Sequence, residues 1–449
     1  MERLVFARVP AWVLILLALA GLLATVGFGH VLRTEIETPD RYGALGKLAV
    51  DIAKVPTTIQ DLIRNKDRMA ADRTDRLEGK GGWQVTQTIT DPNEGYLLLA
   101  RYSGDLREAQ IDLVDLTDMS VKYSWLPDAD TLLKGIVIPS VITDFERWNT
   151  AMFRPAHPIL LEDGNLILKD HESPLMRVDG CARLIWSEET DIYHHSSNIG
   201  PDGTLWVPTR IEPATFGQSD RFNDDALAEV SLDGKLLQSI PLTKIFLENG
   251  LRPLIFGAGA YRTDAFHLND IEPVLEDGPY WEKGDLFLSL RHLSMIVLYR
   301  PSTGKVIWHQ QGPWMAQHDV DIIDENTISV FDNRAYDIGK GWYVDGTNDL
   351  IHFDFRTGTS SSPLAEGMKA ADILTLTEGL ADRTPGGRTI VEENNSGRIV
   401  IFSPDGTVAA EYVNRAADGK VYRLGWSRWI SRDLGDRALG SLGKQSCDG

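Results

Sequence analysis

The sequence predicts an all-β chain, a six-bladed β-propeller preceded by an N-terminal transmembrane helix and a short helical stalk. One hairpin unit recurs, its turns tend to contain glycine, and an aromatic residue stands near the end of each unit, a pattern that marks radial repetition of four-stranded sheets. The clearest copy starts at His318, runs through Val320-Asp321-Ile322-Ile323, turns at Asp324-Glu325-Asn326 and returns as Thr327 to Arg334. A second leads from His195 through Gly200-Pro201-Asp202-Gly203 to Leu205 and Arg210, and a third from His267 through a longer insert to Asp285 and Arg291. A weaker one opens at His157, turns at Glu162-Asp163-Gly164-Asn165 and has no closing arginine.

Residues 1–8 are expected to be a cytoplasmic N-terminus and residues 9–32 a signal anchor. No charged residue stands between Arg8 and Arg33, and about 20 apolar residues span a bilayer as a helix. Arg3 and Arg8 precede the run, which puts the N-terminus in the cytoplasm and the rest outside. The competitor is a cleaved signal peptide, with Ala18-Leu19-Ala20 as its small-residue site. Residues 33–80 read as a helical stalk: Leu45, Leu48, Ile52, Val55, Ile59, Leu62 and Ile63 recur at helical steps, interrupted near Pro56, before a charged run up to Lys80.

The propeller is expected over residues 81–432. Trp83-Gln84-Val85 and Tyr96 to Arg101 open the first blade, and blades two to five start at His157, His195, His267 and His318. A sixth holds Arg388 to Glu392 and Gly397 to Phe402, with Tyr422-Arg423-Leu424 and Trp426 closing the ring against the first. Six blades fit the spacing best, with seven as the alternative. Inserts at Ile211 to Arg262, helical around Leu242 to Leu247, and at Tyr336 to Asn348 break the rhythm. Residues 433–449, poor in apolar side chains, are expected to be a flexible tail.

A net charge of -20 and a pI near 4.9 leave no basic stripe for a nucleic-acid partner. Cys181 and Cys447 are the only cysteines. They pair once, tying the tail to an early blade, if the chain is exported; otherwise they are a buried and a free thiol.

An antiparallel hairpin returns the chain to where it began, so the histidines and closing arginines of the repeat share one face, and a closed ring aims them at a common funnel. A lone strand histidine is more often structural than catalytic. His195, His267 and His318 at equivalent repeat positions instead suggest a site for transferring an anionic group, in which imidazole is a nucleophile near neutral pH and guanidinium matches a tetrahedral oxyanion. Asp319 is placed to fix a tautomer, and Asn269 shares a strand face with His267 by alternation. Arg291 and Arg334 reach inward as fixed cations, with Arg210 at the same repeat position. A repeat-wide salt bridge is the bland reading for Arg210 and Arg334. Arg334 and His194 are retained as candidate substrate contacts.

Phe266-His267-Leu268-Asn269-Asp270-Ile271, Leu288-Ser289-Leu290-Arg291-His292-Leu293-Ser294, Thr303-Gly304-Lys305-Val306-Ile307-Trp308 and Gln317-His318-Asp319-Val320 occur in that order. Together they resemble the bacterial arylsulfate sulfotransferase family, a six-bladed propeller. The resemblance covers blades two to five. It implies transfer of a sulfuryl group from a small-molecule aryl sulfate to a phenol or other hydroxyl, with no cofactor and no nucleotide donor, through a sulfated histidine. His318 would be the nucleophile. Arg291, His267 and Asn269 would hold the sulfuryl oxygens, and His195 would assist proton transfer or oxyanion binding. The apolar helix adds a bacterial inner membrane as partner, with the propeller facing the periplasm or outside. Two other readings stand beside it: a hydrolytic metal site of His195, His267 and His318, and a non-catalytic envelope propeller that binds a glycan or protein on its inserts.

Overall fold

In the computed structural model, which describes residues 10–38, 41–64, 68–137, 148–216, 222–257, 259 and 261–447, the apolar run forms one helix, Ala11–Glu37. At 1.5 Å per residue it is about 40 Å long. Its apolar side chains are exposed, and it is long and apolar enough to cross a membrane, a property it shares with signal sequences. A second helix, Gly43–Arg64, contains Pro56. Gly46 lets it meet Glu35, since a Cβ there would lie 2.1 Å from Glu35 Oε2. The described residues up to Arg68 form one unit, and the described chain from Met69 on, Phe222 apart, forms a second unit. The expected cytoplasmic segment, residues 1–8, lies outside the described residues.

Residues 69–80, read from sequence as the end of a stalk, belong to the second unit. Their charged side chains find partners there. The Arg76 guanidinium donates to Leu374 O at 3.1 Å, Glu393 Oε1 at 2.5 Å and Ser396 Oγ at 3.0 Å. Met69, the first of them, packs with Tyr102 and Tyr422.

The second unit is mostly β, in a propeller-like arrangement of antiparallel sheets. Its strands form an eight-stranded sheet, a five-stranded sheet, three four-stranded sheets and a two-stranded ribbon. Six separate blades are therefore not what the backbone hydrogen bonds draw. The strand Leu184–Tyr193 is long enough to pair with Ser173–Val178 over most of its length and, through Ile192 and Tyr193, with Leu205–Ile211, which merges two expected blades. Apolar side chains fill the space between sheets. Val274, Phe287 and Ile296 meet Val320, Ile328 and Ile351 in one such layer, each burial being worth roughly 1.5–3 kcal/mol.

Both ends of the unit fasten the ring. Gly82–Val85, expected in the first blade, instead pairs with Val408–Val413 near the C-terminus. Arg428–Ile430 pairs with Tyr96–Ser103, a few residues beyond the segment expected to close it. The tail is not flexible over its first part: Arg432–Leu442 is a helix capped by Ser431, whose hydroxyl accepts from the Leu434 N–H. Its Ala438 and Leu442 are buried against the sheets, and the bare Gly164 and Gly180 make room for the Leu442 side chain. Three or four apolar residues spaced along one helix face were too weak a signal to overrule a polar, glycine-containing composition. Beyond the helix, Cys447 forms a disulfide with Cys181.

The first insert contains the expected short helix, Leu242–Glu248. The second, read as Tyr336 to Asn348, folds as the ribbon Ala335–Asp337 with Trp342–Val344.

Candidate active site

Among the non-glycine residues with left-handed backbone that stand ahead of strands are His157, His195, His267, Ala316, Glu378 and Trp426, with φ between 50° and 61°. The strands begin at Ile159, Asn198, Leu268, Val320, Leu380 and Arg428. Such a conformation costs an L residue about 1–2 kcal/mol and turns the chain sharply. Repeated at each entrance, it throws a side chain out of the sheet toward its neighbours. His157, His195 and His267 are thus equivalent in backbone as well as in repeat position; His318 is not, its left-handed counterpart being Ala316.

The side chains converge. Around the indole of Trp426 lie the rings of His157 at 5.7 Å, His195 at 6.0 Å, His318 at 6.2 Å and His171 at 6.5 Å. From the His195 ring, His171 is 4.7 Å away, His194 5.0 Å, His267 5.2 Å and His318 6.4 Å. His292 is 4.5 Å from His267. Seven of the chain's ten histidines therefore form one group.

His318 is buried, and its two nitrogens have different partners. Nδ1 lies 2.7 Å from Asn333 Oδ1, and Nε2 accepts the Glu378 backbone N–H at 2.9 Å. Asn333 is oriented by its own donors, which reach Glu378 O at 2.7 Å and Thr375 O at 3.3 Å. The ring is thereby neutral, protonated on Nδ1, with its lone pair on Nε2. Burial, and after it the nearby Arg291 charge, hold the His318 pKa well below its ordinary value. Burial does the same to His157, His194 and His195. His194 and His195 share one proton across Nδ1 atoms 2.8 Å apart.

His267 Nδ1 is 2.6 Å from Asp264 Oδ2. Burial works against ionisation of Asp264, but that hydrogen bond and the His267 charge outweigh it and keep the carboxyl below its usual range. Arg291 donates its backbone N–H to His267 O at 3.0 Å, and its Nη1 lies 3.0 Å from His292 Nε2. Burial lowers the Arg291 pKa to about 10, so it stays a cation at neutral pH. Asn269 is fully buried between the His195 and His318 segments: its backbone carbonyl accepts from Ser196, and its amide donates to Gln317 O at 2.9 Å. A β-bulge between Leu268 and Asp270 aims it, in place of the simple alternation expected from sequence.

Several groups had not been singled out in the sequence. Arg154 grips the Glu378 carboxylate with both terminal nitrogens, at 2.7 and 2.5 Å. The buried Lys169 donates to the backbone carbonyl of His195, and burial lowers its pKa to about 7. His171, Trp426, Asn333 and Asp264 complete the surroundings. Glu378 and Trp426 stand ahead of their strands much as the histidines do, and that position was followed only where it held a histidine.

Buried polar atoms without a hydrogen-bond partner gather here: His194 Nε2, Asn269 Oδ1, Arg291 Nε, Trp426 Nε1 and Asp264 Oδ1. Such atoms are uncommon in folded proteins, and several of them on residues of this group suit a polar ligand.

Other expectations fail. Arg334 lies 3.5 Å from the exposed Asp345. Arg210 binds Glu172 and lies 3.7 Å from Asp225, so both arginines serve as ion-pair partners. Asp319 does not set the His318 tautomer, because its carboxylate accepts the Ala381 N–H at 2.9 Å. The histidines of the metal reading are not the set with ligand spacing either: among the described residues that set is Asp264, His267 and His292, with ligand atoms within 4.8 Å of one another.

A search of curated proteins finds no match. Among solved structures, a protein of unknown function from Bacteroides caccae superposes with TM-score 0.45 at 12% identity, over 74% of this chain and 98% of that one. The WD40 β-propeller domain of Doa1 gives 0.38 at 12%, over 77% and 95%. Virginiamycin B lyase from Staphylococcus aureus gives 0.37 at 9%, over 77% and 99%. Superpositions this loose say nothing of the site. The family described as "Arylsulfotransferase (ASST)" matches residues 157–415, more than half of the chain and the stretch that supplies all the histidines above. This chain belongs to the arylsulfotransferase family.

Proposed function

We propose that this protein is a membrane-anchored arylsulfotransferase that works through a sulfated His318, on a propeller of six blades in which the eight-stranded sheet counts as two. The observation that carries the reading is His318 itself, a neutral buried imidazole whose Nδ1 proton is committed to Asn333 and whose Nε2 lone pair is the reactive end. Attack forms an Nε2–S bond and breaks the bond from sulfur to the aryl oxygen, and the phenolate leaves with a proton from a neighbouring histidine. For this the Glu378 N–H must release Nε2, after which it can donate to a sulfuryl oxygen. Arg291, His267 and the second amide hydrogen of Asn269 are suited to the charge that develops there, and such preorganised donors commonly supply the largest share of the rate. In the second half a hydroxyl acceptor gives its proton to a histidine, its oxygen bonds to sulfur, and the N–S bond breaks. His195, centred among four other imidazoles, suits that proton traffic, with His194 as its hydrogen-bonded relay.

The anchor reading rests on the helix Ala11–Glu37, with residues 1–8 on the cytoplasmic side, 33–68 as stalk and the β unit in the periplasm or outside. The Cys181–Cys447 disulfide favours an oxidising compartment. After brief exposure to a chromogenic aryl sulfate, intact-mass analysis should find one added sulfuryl group, mapped to His318. His318→Ala should lose both the adduct and phenol release. A well-folded wild type that releases no phenol across a broad donor panel sinks the proposal.

A second reading, a divalent metal on Asp264, His267 and His292, draws on their spacing. It is disfavoured because His292 Nδ1 already lies 2.9 Å from the Asp264 backbone carbonyl and its Nε2 faces the Arg291 guanidinium, which repels a cation. Near-stoichiometric metal in the purified protein would revive it.

A further inference from the structure

His195 is the near end of a polar path that leads away from His318. Its Nδ1 faces His194 Nδ1 at 2.8 Å, and the other ring nitrogen of His194, Nε2, lies 3.6 Å from Asp225 Oδ1. That gap is just beyond hydrogen-bond length, and a small ring rotation or one bridging water closes it. His194 and Asp225 are both buried, each 2% exposed. Asp225 is held in place: it opposes Arg210 on the neighbouring strand, its Oδ2 accepts the Leu268 N–H at 2.7 Å, and Arg210 Nε stands 3.7 Å from Oδ1.

A proton entering this group finds few places to stay. Burial first, then neighbouring charges, hold His194 and His195 well below the ordinary histidine value, so neither keeps it as imidazolium. Two carboxyls adjoin the imidazoles, and their surroundings push them apart. Asp264 is kept ionised by His267, whereas burial, and after it the Asp264 charge, raise the Asp225 carboxyl above its usual range against the pull of Arg210. A pair split in this way shows which carboxyl carries the proton.

We propose that Asp225 stores the proton exchanged between the two half-reactions and passes it along His194 and His195. The proposal rests on the sulfohistidine reading and adds to it a positioning residue that touches no substrate and acts through the imidazoles. In the first half-reaction the aryl oxygen parts from sulfur and takes the proton of His195 Nε2. His195 Nδ1 then takes the proton of His194 Nδ1, and His194 Nε2 takes that of Asp225, which becomes a carboxylate. In the second half the acceptor hydroxyl gives its proton to His195 Nε2 as its oxygen bonds to sulfur. The electron pair of the N–S bond returns to His318, and the same transfers run backwards until Asp225 is a carboxylic acid again. The cycle closes with no proton drawn from solvent.

The test compares burst rates of the full-length protein in detergent for two donors: phenyl sulfate, whose phenolate needs a proton on leaving, and 4-nitrophenyl sulfate, whose phenolate does not. Asp225→Asn is close in shape and can still accept the Leu268 N–H. It should slow the burst from phenyl sulfate by roughly 100-fold, the lower end of what general acid catalysis contributes, and that from 4-nitrophenyl sulfate only slightly. An equal loss with both donors marks a structural role and overturns the assignment, as does no loss with either. A second measurement needs no variant: on sulfation, the infrared difference spectrum of wild type should lose the band of one protonated carboxyl, and a spectrum without that loss also overturns it. If wild type forms no adduct with either donor, the sulfohistidine reading falls and takes the proton store with it. If the adduct forms but Asp225→Asn treats both donors alike, that reading stands and the proton store alone falls.

Discussion

Asn333 and His318 are locked together from both sides: the amide oxygen meets His318 Nδ1 at 2.7 Å, and the amide nitrogen donates to the carbonyl of Glu378, whose own N–H returns to His318 Nε2. Asn333 is therefore a positioning residue for the imidazole, and both of its functional ends matter. Asn333→Ala should lower the rate of phenol release by about 10- to 100-fold with little change in donor KM, the usual cost of losing an orienting partner. Asn333→Asp should not rescue it, because a carboxylate would face the Glu378 and Thr375 carbonyls. An unaltered burst rate in either variant would remove Asn333 from the machinery.

The depressed pKa of His318 sets the acid limit of the first half-reaction. Protonation of Nε2 removes the nucleophile, but burial and Arg291 move that event well below the ordinary histidine value. An unperturbed histidine of pKa about 6.5 would lose roughly tenfold in rate on going to pH 5.5. The burst of phenol release should instead stay nearly flat between pH 7.5 and 5.5. A limb centred near 6.5 in stopped-flow traces would contradict the structure.

Asp270, Glu272, Asp321 and Asp382 surround Arg428, with Asp319 beside Asp321, and burial first, then mutual repulsion, raises the Glu272, Asp319 and Asp321 carboxyls well above their usual range. A raised carboxyl pKa means that the folded protein keeps a proton the unfolded chain sheds, so stability falls as pH climbs from about 4.5 through the folded pKa. Glu272→Gln removes one such group. Its denaturation midpoint relative to wild type should rise as pH increases from 4.5 to 8. A pH-independent difference would show that Glu272 is not held protonated.

Cys447→Ser should destabilise the β unit by roughly 2–5 kcal/mol, the usual cost of losing a native disulfide that closes a long loop. Thermal melts of the variant and of reduced wild type should agree. A variant as stable as oxidised wild type would mean that the helix Arg432–Leu442 holds the tail unaided.

The repeat was legible because it is written in local sequence. A histidine before an inner strand and a turn with glycine recur within a few residues, and this was enough to bring His195, His267 and His318 together in advance. Arg291 was legible for the same reason. Arg334 misled because it closes an equivalent strand, yet its side chain goes to the exposed Asp345 and leaves Asn333, one residue earlier, as the partner of His318. Glu378 was out of reach: it meets His318 from another sheet, 60 residues away, through a backbone N–H that no side-chain pattern announces. The merger of two blades was equally hidden, since it rests on two residue pairs at the end of Leu184–Tyr193.

The strand Arg428–Ile430 lies on Tyr96–Ser103, so the earliest sheet to leave the ribosome is completed by almost the last residues to follow it. A nascent chain thus carries an unpaired strand edge through most of its synthesis, open to aggregation and to chaperones. Closure is a strongly non-local event, and such contacts form slowly. A product truncated a few dozen residues early would keep every histidine named above and still be a chain that cannot shut its ring.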